Sequence, residues 1–264
     1  MIHKLLRNFL ENLRSIDQVY DSAIYGASHK EARIIKLQAK FGLKRAQNKL
    51  TENEYIKVVK EIEAIDDIDD IEKQEPIQLE FDLKAIVLLR KVINYELLMV
   101  KKIPSLSREQ AIISFMLIFE GYINDLLGYI FGINTDILKS NKTTLNDEKL
   151  IDSLKKGNTL EKLKEVKIKE LMFTSVDNWL KYFNKNIGFN IEIPNDIIEM
   201  SLVRNCLIHN NGLVDDKLEK RINKRRYNYE KKINVTENDY SRYKNCVENL
   251  AKNLDSECFK KFNE

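Results

Sequence analysis

The stretch LVRNCLIHNNGLVD, residues 202 to 215, places Arg204, Asn205 and His209 within six positions, and His209 is one of only three histidines in the 264-residue chain. Histidine titrates nearest neutral pH and can take or give a proton there. An arginine guanidinium can hold two phosphate oxygens at once. Asn205 and His209 are four apart and share a helix face, and Arg204, one step round, is long enough to reach the same place. A plainer reading competes: His209 helps satisfy the last carbonyls and the dipole of a helix, while Arg204 makes a surface ion pair.

The elements that must carry these residues are helices. Eight glycines, three prolines, 43% hydrophobic and 32% charged residues, with much Leu, Ile, Lys, Glu and Asn, point to an all-α protein with one sizeable core. Pro194, Asn195 and Asp196 supply helix-start chemistry for the stretch itself, Ile197, Ile198, Leu202, Val203, Cys206 and Leu207 give its buried face, and Gly212 suits a left-handed cap.

Upstream, Ile2, Leu5, Leu6, Phe9, Leu10, Leu13 and Ile16 fall on one stripe of a first helix. The capping box S-H-K-E at Ser28 predicts the start of a second, and T-E-N-E at Thr51 another. Glu75-Pro76 is the expected boundary between an N-terminal helical extension (1–75) and the main helical domain (76–264), since the residue before proline is pushed out of the helical region. Residues 79 to 101 read as a helix ending before Pro104. Ser107 with Gln110 opens the most apolar helix, Ala111 to Phe131, which also carries Glu120 and Asp125. Shorter helices are expected at about 147 to 156, 159 to 171 and 175 to 186, and Thr236 opens a last one running to about Phe262.

Charge is balanced overall, 44 basic against 41 acidic residues, but not locally. Residues 61 to 75 carry a net of −7 and residues 217 to 232 a net of +6, the latter with Tyr227 and Tyr229 interleaved. Cys206, Cys246 and Cys258 are far apart and form no CxxC pair, which indicates neither a disulfide framework nor a zinc site and fits a reduced, cytoplasmic setting. No run looks apolar enough for the roughly 18 residues of a membrane span, so no membrane partner is expected.

The run RNCLIHNNGLVD, an arginine followed by a polar residue and a histidine after four intervening positions, resembles the RxxxxH signature of the HEPN superfamily (higher eukaryotes and prokaryotes nucleotide-binding). It is especially similar to HEPN domains that bacteria deploy as ribonucleases in toxin and antiviral systems, and FEGYINDLL resembles the earlier core helix of that domain. The likeness covers roughly the last 160 to 190 residues; the first 75 match no family pattern. It implies a metal-independent endoribonuclease without cofactor, a homodimer whose two motifs face one cleft, with RNA as substrate and an antitoxin or defence-system protein as a further partner. Arg204 and His209 would be the catalytic pair and Asn205 the polar residue that orients them. Attack of a ribose 2′-OH on its phosphate needs a base, an acid for the leaving 5′-oxygen and positive charge for the phosphorane. One chain supplies a single histidine here, so a two-fold partner is the economical source of further groups. In the toxins neutralised by a nucleotidyltransferase, a tyrosine stands two places after the histidine; this chain has Asn211.

Further candidates surround the motif. Lys224, Arg225 and Arg226 could track an RNA backbone while Tyr227 or Tyr229 stacks bases, or the stretch is a solvated surface. Glu120 is either a core carboxylate satisfied by an arginine or a group supporting the motif. The acidic segment could cover the basic one, or be a solvated linker. Glu165-Val166-Lys167 matches an ExK fragment of metal-dependent nucleases but lacks the sheet those sites use. There is no GxxxxGK[ST], GxGxxG, HExxH or G-x-S-x-G. The alternatives to a ribonuclease are a HEPN-like module that binds RNA, nucleotide or a partner without cutting, and a helical adaptor.

Overall fold

A computed structural model describes residues 2–40, 83–139, 159–222 and 227–262. They form α1 (Ile2–Lys40), α2 (Leu83–Ile133), a 3₁₀ turn (Thr135–Lys139), α3 (Thr159–Met172), α4 (Val176–Tyr182) running into a π turn (Phe183–Ile187), α5 (Asn195–His209), α6 (Asp216–Arg221) and α7 (Glu237–Phe262). The fold is all-α. Among the described residues, the β-structure amounts to one isolated antiparallel bridge between Leu213 and Lys232.

The chain packs as two compact units, residues 1–19 with 108–264, and residues 20–107. In the first, α2 supplies the centre: Ile112, Phe115, Phe119, Ile123, Leu126 and Ile130 recur every three or four residues and, with Leu127, are wholly buried. Each such side chain contributes about 1.5–3 kcal/mol by leaving water. The Phe115 ring sits 5.4 Å from Tyr240 of α7, and the Tyr122 hydroxyl donates to the Ala251 carbonyl at 3.1 Å. Thr236 and Asp239 exchange bonds at the head of α7, Thr236 N–H to Oδ2 at 3.0 Å and Asp239 N–H to Oγ1 at 3.2 Å, so the expected start at Thr236 is a reciprocal cap.

The start of α1 packs within this unit. Phe9 and Leu13 are buried, the Phe9 ring lies 5.3 Å from Tyr122 and 6.3 Å from Phe119, and Asp17 accepts from Tyr240 and pairs with Lys244. In the second unit, Ala27 and Ile34 pack with Val100, flanked by Leu97 and Ile103.

Three expectations need correction. Helix α1 does not restart at Ser28 but runs through it, because Ala27 and Ile34 on either side are both drawn into the contact with Val100. Helix α2 does not end before Pro104. Proline has no N–H for the Val100 carbonyl, a cost of about 3 kcal/mol, yet the packed Val100 and Ile103 carry the helix across it. Residues Asn94–Ile133 are in fact long and apolar enough, by length and composition, to cross a membrane; half of the most apolar stretch is buried against the rest of the protein. The start at Thr51, the acidic segment 61–75, the boundary at Glu75-Pro76 and the helix at 147–156 lie outside the described residues.

Candidate functional site

Helix α5 begins after Pro194, whose extended conformation (φ −67°, ψ 140°) sets the N-cap. Ile197, Met200, Val203 and Cys206, spaced three apart, are buried, and this stripe fixes the rotation of the helix. Arg204 and Asn205 are consequently held at the half-buried edge, and His209 falls on the exposed last turn. The chain then reverses sharply. Asn211 (φ 51°) and Gly212 (φ 75°) both adopt the left-handed conformation, and the Gly212 N–H returns to the Cys206 carbonyl at 2.9 Å. The Asn210 side chain donates to the Leu213 carbonyl at 2.8 Å. The expected left-handed glycine is therefore present, joined by an asparagine, one of the few other residues that tolerate that conformation.

Arg204 is gripped on two sides. One terminal nitrogen donates to Asn205 Oδ1 at 3.0 Å, and the other lies 3.4 Å from Glu120 Oε2 on α2. Burial raises the Glu120 carboxyl above its ordinary value, and the Arg204 charge pulls it back only in part. Glu120 is thus paired with an arginine, and that arginine is Arg204. His209 takes part in none of these bonds, and its imidazole is open to solvent. The arrangement offers a positioned cation and, five residues on in the same helix, a solvent-exposed imidazole. Burial pushes the thiols of Cys246 and Cys258 up to about 12 and raises that of Cys206 as well.

The basic stretch is less uniform than its composition implies. Lys224, Arg225 and Arg226 lie outside the described residues. Tyr229 is half exposed. Tyr227 is buried, with no ring face left for a base: its hydroxyl donates to Glu199 Oε1 at 2.7 Å and lies 3.4 Å from the Tyr243 hydroxyl. Glu199 also accepts from Tyr243 at 2.8 Å and, through both oxygens, from Arg242 at 2.9 and 3.1 Å. Arg242 pairs further with Asp196 and Asp239 and covers the Tyr243 ring at 4.6 Å. Sequence reading missed this network because Glu199 stands among apolar residues with nothing to mark its partners 28 to 44 positions away. A cleft of about 380 Å³ opens beside it, lined by Asp196, Arg242, Asn245, Asn249 and Asn253 among others, and includes none of Arg204, Asn205 and His209.

A scan against protein-family models found no match, and neither a search of curated proteins nor one of solved structures found a significantly similar protein.

Proposed function

We propose that the chain is a metal-independent endoribonuclease of the HEPN type, acting in a bacterial toxin or antiviral system, with a site completed by a second copy of itself. The observation that carries the reading is the hold of two residues on one guanidinium: Asn205 and Glu120 fix Arg204 while His209, five residues on, faces solvent. In the reaction, the ribose 2′-OH gives its proton to a base and forms a bond to phosphorus. The bond to the 5′-oxygen breaks, and that oxygen receives a proton. The products are a 2′,3′-cyclic phosphate and a 5′-hydroxyl. His209 serves as acid or base, and Arg204 binds the phosphate oxygens as charge accumulates on them. Two proton transfers need two groups, which two copies of His209 supply.

The surface beside the motif supports self-association. Leu117, three residues before Glu120, is 61% exposed, and Ile208, four after Arg204, is 43% exposed. Apolar side chains left in water around a polar site suit an isologous contact. A non-cleaving binding module is the second reading, favoured by the Glu120 carboxylate already offsetting part of the Arg204 charge. Incubation of labelled RNA with the protein in EDTA, with the product ends identified, separates the two.

A further inference from the structure

Helix α2 leads from the candidate site to a second surface feature. Asn124 lies four residues after Glu120, hence about 6 Å further along the same helix face. It forms one wall of an open cleft of about 400 Å³ whose other walls are Glu165, Ile168, Lys169, Met172 and Phe173, at the end of α3. The next position on that stripe, Gly128, brings α3 alongside: a Cβ there would lie 4.0 Å from Ile168 Cδ1. Phe173 closes the cleft. At 80% exposure it is the most exposed large apolar side chain among the described residues. It is not loosely placed, since its N–H donates to the Lys169 carbonyl at 3.1 Å and the Lys169 ammonium stands 5.9 Å from its ring centroid.

An exposed aromatic face is a surface on which a flat group can stack. The cleft offers that ring and the apolar sides of Ile168 and Met172, and around them one cation, one carboxylate and one carboxamide. This is stacking surface for a single flat group, with a donor and acceptor at its edge and a positive charge for a flanking phosphate. We propose that this cleft is a nucleobase subsite: an unpaired base of single-stranded RNA stacks on Phe173, Asn124 and Glu165 meet its polar edge, and Lys169 contacts the adjoining phosphate. The proposal rests on the ribonuclease reading for the position of the scissile phosphate, beside Arg204, whose partner Glu120 stands one helical turn before Asn124 on α2. It assigns the cleft a role in choosing which nucleotide lies next to the cut.

The test uses the full-length protein carrying His209→Ala, so that RNA stays intact, and short single-stranded oligonucleotides containing one 2-aminopurine. Stacking on Phe173 should quench the probe. Phe173→Ala should abolish the quenching and weaken binding about tenfold or more; Phe173→Trp should restore both. Because the ring is exposed, these substitutions should leave the melting temperature unchanged. Equal quenching and affinity in the Phe173→Ala protein, or no quenching in any variant, overturns the subsite. Cleavage assays on proteins with His209 intact keep the two readings apart. Loss of cleavage in His209→Ala, with unaltered base preference in Phe173→Ala, retains the ribonuclease and rejects the subsite. Phe173-dependent binding without cleavage by the unsubstituted protein retains the base site and rejects the enzyme.

Discussion

The guanidinium of Arg204 and the carboxylate of Glu120 stand 3.4 Å apart across the α2–α5 contact, each about a quarter exposed. A pair this shielded is not a surface decoration, yet the protonation balance of Glu120 shows that burial outweighs the attraction. Its raised carboxyl favours the folded state most at acidic pH, below the ordinary value of 4.5, and that contribution is lost as pH rises through the raised folded value. Glu120→Gln should therefore gain stability relative to the unsubstituted protein as pH rises from 4 to 7, measured by thermal melts across that range. It should also bind RNA several-fold more tightly, because the carboxylate no longer competes for Arg204. Equal affinity would remove Glu120 from the site.

Self-association is required for activity if both motifs serve one cleft. Leu117→Lys places a like charge from each copy at the shared face without repelling RNA, and the exposure of Leu117 leaves the fold unaffected. Light scattering should report a monomer and cleavage should fall to background together. A monomer that still cuts RNA sinks the shared site.

Tyr227 belongs to the core network and not to an RNA surface. Tyr227→Phe removes a hydrogen bond to the Glu199 carboxylate and should cost about 1.5–3 kcal/mol in denaturant unfolding, with RNA affinity unchanged. Glu199→Ala removes one of three carboxylates around Arg242 and an acceptor shared by two tyrosines, and should cost more than Tyr227→Phe in the same unfolding measurement. A Tyr227→Phe protein of normal stability with weakened RNA binding would reverse this assignment.

Asp177 ties α4 to α6. Burial raises its carboxyl, but bonds from Ser175, Lys181 and Arg221 and the Arg221 charge outweigh burial and hold it well below the ordinary 3.8. Lys181 Nζ and an Arg221 terminal nitrogen lie 2.9 and 2.8 Å from its Oδ2. A depressed carboxyl stabilises above its unfolded value and loses that contribution as pH falls toward the folded one. Stability should therefore decline as pH drops below about 4, and Asp177→Asn should flatten that acid limb. An unchanged limb would assign acid sensitivity elsewhere.

The helices were legible where one face is apolar. The stripe of Phe9 and Leu13, the run from Ala111 to Phe131 and the segment from Asn195 to His209 are all spaced as helices, and all are helical. Their ends were less so. Ser28 and Pro104 carry stop and start chemistry that tertiary packing overrides: Ala27 and Ile34 flank Ser28 in one buried cluster, and Val100 and Ile103, just before Pro104, belong to the same cluster. Of the site, Arg204, Asn205 and His209 share one element and could be read together from spacing. Glu120 could be singled out as a charge in an apolar helix, but its partner, 84 residues away, could not. Tyr227 misled because a tyrosine among arginines looks the same in sequence whether its ring faces solvent or the core.

Cleavage of labelled total RNA and tRNA by the purified protein in EDTA, with His209→Ala alongside, addresses the proposal most directly. The unsubstituted protein should cut and leave 2′,3′-cyclic phosphate ends. His209→Ala should be slower by about 10²–10⁴-fold, the span of a lost general acid or base, with the same melting temperature since His209 is exposed. Equal cleavage by both proteins, or RNA bound but left whole by both, would show that this last helical turn is not the catalytic site of a ribonuclease.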